Sequence, residues 1–133
     1  MNTRLIVTSF IILFGFHETA QSEIYAAGPT YGGNVAGLIG GTVTCRVFNY
    51  GLSSVSISQR QIWTNTYVLV APASDTCNVA LPPNKYCAFG ATIAGNFAYS
   101  CRLVAAGVDA KLSGVAEIMS SSGAIMNSQA LQK

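Results

Sequence analysis

Residues 42–59 read TVTCRVFNYGLSSVSISQ, and the spacing of their apolar side chains decides the fold class. Val43, Cys45 and Val47 recur at every second position. Beyond Gly51, Val55 and Ile57 do the same, with serines between them. A period of two puts alternate side chains on opposite faces of an extended strand, so one face is buried and the other wet. The stretch predicts two strands with a turn at Gly51.

The pattern continues outward from there. Residues 66–71 (TYVLVA) form a short β-rich run. Residues 75–85 (DTCNVALPPNK) read as a loop broken by Pro82, Pro83 and Asn84. Residues 86–93 (YCAFGATI) place Cys87, Phe89 and Ile93 on one face, and residues 97–105 (FAYSCRLVA) do so with Phe97, Tyr99, Cys101 and Leu103. Ala94, Gly95 and Asn96 mark the turn between those runs. Residues 111–119 and 124–131 flank a further hairpin turn at 120–123. Period-2 runs punctuated at short intervals predict an all-β sandwich or barrel. No segment after the first 22 residues has a helical period with caps.

Residues 25–41 (YAAGPTYGGNVAGLIGG) hold six glycines in seventeen positions. They read as a flexible lead-in, with residues 34–39 as a candidate edge strand. A phosphate-cradling loop would need a Lys-Ser/Thr ending and a βαβ unit, and neither is present.

The chain begins like a secretory leader. One arginine precedes an apolar run of twelve, residues 5–16 (LIVTSFIILFGF), followed by the polar HETAQS. Ala20-Gln21-Ser22 is the best cleavage signal, cut after Ser22. A spanning helix needs about 20 apolar residues, so a signal peptide is the better reading. The expected organisation is a signal peptide over 1–22, a Gly-rich lead-in over 23–41 and a β-sandwich domain over 42–133, in a secreted or periplasmic protein.

The remaining chain carries six bases and four acids, a net +2. The charges are scattered, without the basic stripe of a nucleic-acid binder or the polybasic run of a membrane-surface segment. No nucleic acid and no stable membrane insertion after cleavage are expected. An outer-membrane barrel would need apolar-faced strands of about 9–11 residues, unlike these short Ser-rich runs.

Cys45, Cys77, Cys87 and Cys101 lie 32, 10 and 14 residues apart. Such spacing lacks the close pairs of a zinc site, and the only histidine, His17, is in the leader. Disulfides are therefore expected, with no metal and no cofactor. Cys45 and Cys101 both face inward by alternation, which suits a bridge between two sheets as in immunoglobulin-like domains. Cys77 and Cys87 then clamp the Pro-Pro loop. The rival pairing joins Cys87 to Cys101 and Cys45 to Cys77, and requires a register slip in the hairpin between them. Strand positions favour the first pairing.

Three segments carry a family resemblance. CRVFNYGLSSVSI (45–57) resembles the strand, Asn-x-Gly and Val-x-Ile opening of bacterial immunoglobulin-like domains related to the ASPM/SPD-2/Hydin group. CNVALPPNKYCAF (77–89) is similar to that group's Cys, turn and second Cys before a strand, with Pro83-Asn84 in place of Pro-Gly. SGVAEIM (113–119) resembles its later G-x-L-x-I strand. The chain is also similar to small secreted bacterial proteins of this type. The resemblance covers residues 43–120. It implies an immunoglobulin-like antiparallel β-sandwich of about seven strands outside the cytoplasm, and it brings no catalytic residues.

Without a histidine after the leader, Ser-His-Asp and Cys-His arrangements are not available. Asp75 and Asp109 read as turn formers, and Glu117 as solvent-facing. No catalytic residue is assigned. Phe89, Phe97 and Tyr99 read as core, whereas Trp63, Tyr67 and Tyr86 lie near strand ends and are the candidate binding surface. The expectation is a non-catalytic extracytoplasmic binding or adhesion module for a protein or glycan ligand. The alternatives are a structural subunit of a pilus-like surface polymer or, less favoured, a small enzyme of unfamiliar type.

Overall fold

The computed structural model describes residues 22–31, 40–93, 97–106 and 110–133. Residues 1–21 of the expected leader, the edge-strand reading of 34–39, the turn at 94–96 and Asp109 lie outside the described residues.

The described chain is all-β. Its strands are β1 (Ser22–Ala27), β2 (Thr30–Tyr31), β3 (Thr42–Asn49), β4 (Ser56–Thr64), β5 (Leu69–Val70), β6 (Ser74–Asp75), β7 (Tyr86–Thr92), β8 (Ala98–Ala106), β9 (Leu112–Met119) and β10 (Ile125–Gln132). They form one antiparallel sheet in the order β5-β4-β8-β1-β10-β9-β3-β7-β6, with β2 also on β8. A short junction closes its middle, where Ala26 faces Gln132 and Ala27 faces Leu131.

The sheet curls until its halves meet. Cys45 on β3 is bonded to Cys101 on β8 with their Cα atoms 6.0 Å apart, although β1, β10 and β9 separate the two strands in the sheet. Cys77 is bonded to Cys87. These are the pairs that strand position favoured. Disulfides persist in oxidising compartments, so both bonds suit a protein outside the cytoplasm. Among the described residues no helix is long and apolar enough to cross a membrane.

Alternation builds the core. Val43, Cys45 and Val47 of β3 face inward with Cys87, Phe89 and Ala91 of β7 and with Tyr99, Cys101 and Leu103 of β8. Phe97 packs against this cluster and stays half-buried. On β4 the parity changes. Val55 and Ile57 are buried before a bulge between Ile57 and Gln59, and Ile62 and Thr64 after it. A bulge inserts one unpaired residue, so odd positions face inward before it and even positions after it. Trp63 is thereby turned to the outer face.

Asn49 locks the turn after β3. Its Nδ2 donates to the carbonyls of Ser53 (2.8 Å) and Leu81 (2.9 Å), and its Oδ1 accepts from Gly51 N at 2.9 Å. The side chain is fully buried and its polar atoms are all used.

Four sequence expectations are revised. The stretch read as lead-in begins with a strand, β1, held by β8 on one side and β10 on the other. The run 66–71 shrinks to the two residues of β5, because Tyr67 adopts φ +61° and turns the chain. Ser74 and Asp75 form a short strand on β7 at the start of the expected loop. Glu117 does not face solvent. It is 8% exposed, and its Oε2 accepts from Arg46 Nε at 2.7 Å.

Candidate functional site

The outward face of β4, β8 and β1 carries a shallow groove of about 660 Å³. Trp63, Asn65 and Tyr67 line one side, Ser100 and Arg102 the floor, and Pro29 the far side. Register explains the grouping. Trp63 stands opposite Ser100, and Gln61 opposite Arg102, which in turn faces Ala26 of β1. Small side chains at Ala26 and Ser100 leave the space between the large ones.

Gln61 organises the groove. Its Oε1 accepts from Arg102 Nη1 at 2.6 Å and from Trp63 Nε1 at 3.4 Å. Gln59 Oε1 takes a second bond from Arg102 Nη1 at 3.2 Å. One amide oxygen therefore sets an indole and a guanidinium side by side.

Tyr67 is placed by strain. Tyr67 N donates to Thr64 O at 3.0 Å, and Thr64 N donates to Val68 O at 2.9 Å. Thr64 Oγ1 accepts from Val68 N at 3.1 Å and bonds Thr66 Oγ1 at 2.9 Å. The last turn position is left-handed, a conformation that hairpins usually give to glycine because a Cβ is disfavoured there. Here it holds a tyrosine that is 89% exposed. A large aromatic ring is displayed beside the groove at a backbone cost of about 1 kcal/mol or more.

Of the three aromatic candidates from the sequence, Trp63 and Tyr67 come together. Tyr86 does not join them. It lies on the outward face of β7 opposite Phe48, on the other half of the sheet, beside a second depression of about 400 Å³. Sequence reasoning missed Arg102, Gln59 and Gln61. Their contribution depends on the β4–β8 register, which local pattern does not encode.

The carboxylates are engaged elsewhere. Asp75 Oδ2 accepts from Arg60 Nε at 2.6 Å, while its Oδ1 caps Cys77 N at 2.8 Å. Glu117 pairs with Arg46. At one end of the sheet, Glu23 pairs with Lys133, and Tyr25 Oη donates to Glu23 Oε2 at 2.6 Å. The Lys133 ammonium, followed by the Tyr25 hydroxyl, holds the Glu23 carboxyl below its usual range. Burial, reinforced by the Glu23 carboxylate, pushes the Tyr25 phenol well above its usual range. Among the described residues no cluster of three or more His, Cys, Asp and Glu side chains could hold a metal ion.

Comparison of the chain with protein-family models, curated proteins and solved structures gives no match.

Proposed function

We propose that the protein is a non-catalytic binding module outside the cytoplasm, and that it binds through the groove of Trp63, Tyr67 and Arg102. The observation that carries this reading is Tyr67, an exposed ring kept at φ +61° beside a fixed indole and guanidinium. A strained, exposed aromatic adds nothing to core packing, and strain of this kind concentrates where it serves a site. Asp75 and Glu117 support the non-catalytic part, since each is held in its own ion pair. The leader and the two disulfides support the location.

The scaffold is read as a variant of the immunoglobulin plan. The adjacent pairs β4–β8 and β3–β7, with a bond from β3 to β8, follow the C–F and B–E pairs and the B–F bridge of that plan. Two positions depart from it. The strand beside β8 is the N-terminal β1, and the strand after β8 crosses to lie beside β3. The buried Asn49 turn supports the resemblance to the ASPM/SPD-2/Hydin group at its Asn-x-Gly motif.

The test is a broad glycan and peptide array probed with the processed protein and with Trp63→Ala and Tyr67→Gly variants. Ligands retained by the parent and lost by both variants are expected. An inert parent, or binding indifferent to both substitutions, would refute the groove.

A further inference from the structure

We infer that the groove takes an acidic polysaccharide, with a sugar carboxylate on Arg102 and pyranose faces on Trp63 and Tyr67. This inference rests on the binding reading of the same groove. Its first support is charge. Three ion pairs engage all the acids of the described residues: Glu23 with Lys133, Asp75 with Arg60, and Glu117 with Arg46. Arg102 belongs to none of them, and no acid lines the groove. Its Nη1 is bonded only to neutral amide oxygens. Among the described residues its Nε and Nη2 donate to nothing, so part of the guanidinium fork remains open. A guanidinium held in place by two amides, with donors to spare, is prepared for a carboxylate.

The second support is shape. The groove lies on the face of the sheet, where β4, β8 and β1 pair with one another through their main chains. Main-chain addition, a common mode for an extended peptide, needs a free sheet edge and is not offered here. A face instead presents rings and side-chain amides. Aromatic faces carry negative charge density that attracts the C–H groups of a sugar ring. The amides of Gln59 and Asn65 and the Ser100 hydroxyl supply partners for sugar hydroxyls. Trp63 and Tyr67 stand on one flank with Arg102 on the floor, so ring stacking and charge recognition act on the same ligand.

Oligogalacturonate and oligomannuronate are the probes, each compared with its methyl ester, which keeps the sugar ring and removes the charge. Binding is read by calorimetry on the processed, oxidised protein. Both free acids are expected to bind, and methyl esterification or Arg102→Gln to weaken them by about tenfold or more. Tyr67→Gly is expected to weaken them similarly while leaving the urea midpoint unchanged or higher, which separates lost contact from lost fold. Equal affinity for acid and ester, with both lost in Trp63→Ala, would overturn the acidic ligand while leaving the groove as a binding site. Poly-glutamate binding as tightly as the sugars and lost in Tyr67→Gly would replace the glycan with an acidic peptide. No binding of either uronate oligomer would overturn the inference, and the array above then decides separately whether the groove binds anything.

Discussion

Cys45 and Cys101 are bonded across the interior of a sheet in which three strands separate them. The bond spans 56 residues of sequence and joins the two halves of the fold. Closing a loop of that length removes chain entropy worth about 4 kcal/mol, against about 3 kcal/mol for the ten-residue loop of Cys77 and Cys87. Domains of this size have total stabilities of about 5–15 kcal/mol. Replacing Cys45 and Cys101 by alanine is therefore expected to lower urea stability more than replacing Cys77 and Cys87. Equal losses would contradict the role of the first bond as the main tie.

The same pairing has a direct chemical readout. Cys87 and Cys101 share the tryptic peptide 86–102, which should carry both the peptide ending at Arg46 and the peptide 61–85 without reductant. Chymotrypsin then cuts at Phe89, Phe97 and Tyr99 and separates the two cysteines. The fragment with Cys87 should retain peptide 61–85, and the fragment with Cys101 the Arg46 peptide. The reverse assignment would refute the connectivity.

Asn49 tests the turn after β3. Substitution by alanine leaves the carbonyls of Ser53 and Leu81 and the N–H of Gly51 without this partner. A buried polar group left unmet costs about 1–3 kcal/mol, so a combined loss of about 3 kcal/mol is expected in denaturant titration. A loss below about 0.5 kcal/mol, the scale of an ordinary surface substitution, would mean that water replaces the side chain without penalty.

Local alternation made much of this fold legible. Val43, Cys45 and Val47, and again Tyr99, Cys101 and Leu103, face inward as their spacing predicts, because a half-buried strand must sort its side chains by parity. β1 escaped notice because Ser22–Ala27 combines alanines with a glutamate at an expected cleavage site and lacks a β-branched run. Its place between β8 and β10 is a non-local fact. So is the ion pair that buries Glu117, since Arg46 lies 71 residues away. The groove was half legible. Exposed aromatics near strand ends pointed to Trp63 and Tyr67, but Tyr86 had the same local signature and lies on the other half of the sheet. Only the bulge in β4 and the β4–β8 register bring Arg102 and Gln61 to Trp63.

Gly114 shows how closely the sheet packs. A Cβ there would meet the Arg46 carbonyl oxygen at 2.4 Å and Leu131 Cδ1 at 2.2 Å. Leu131 has rotamers to yield with, whereas the β3 main chain is held by its ladder. Gly114→Ala is expected to cost about 1–3 kcal/mol. Adding Leu131→Ala should fail to restore stability. Full rescue by the double substitution would show that the side chain, and not the backbone, sets the limit.

The end of the sheet where Glu23, Tyr25 and Lys133 meet should give stability a limit at both extremes of pH. Glu23 has a folded pKa below its unfolded value near 4.5, because Lys133 and Tyr25 bond its charged form. Its contribution is complete above the unfolded value and is lost as pH falls through the lower folded value. Tyr25 has the opposite sense. Its folded pKa is raised above the ordinary 10.0 by burial and by Glu23, so its contribution is complete below pH 10 and declines as pH rises beyond it. Glu23→Gln is expected to flatten the acid limb and to reduce the Tyr25 share of the alkaline limb. Lys133→Met should move the Glu23 titration upward toward its unfolded value and so shrink the acid limb alone. Urea midpoints between pH 2 and 11, with Glu23 followed by carboxyl NMR, measure both. An acid limb unchanged in Glu23→Gln would assign it to the buried Arg46–Glu117 pair instead.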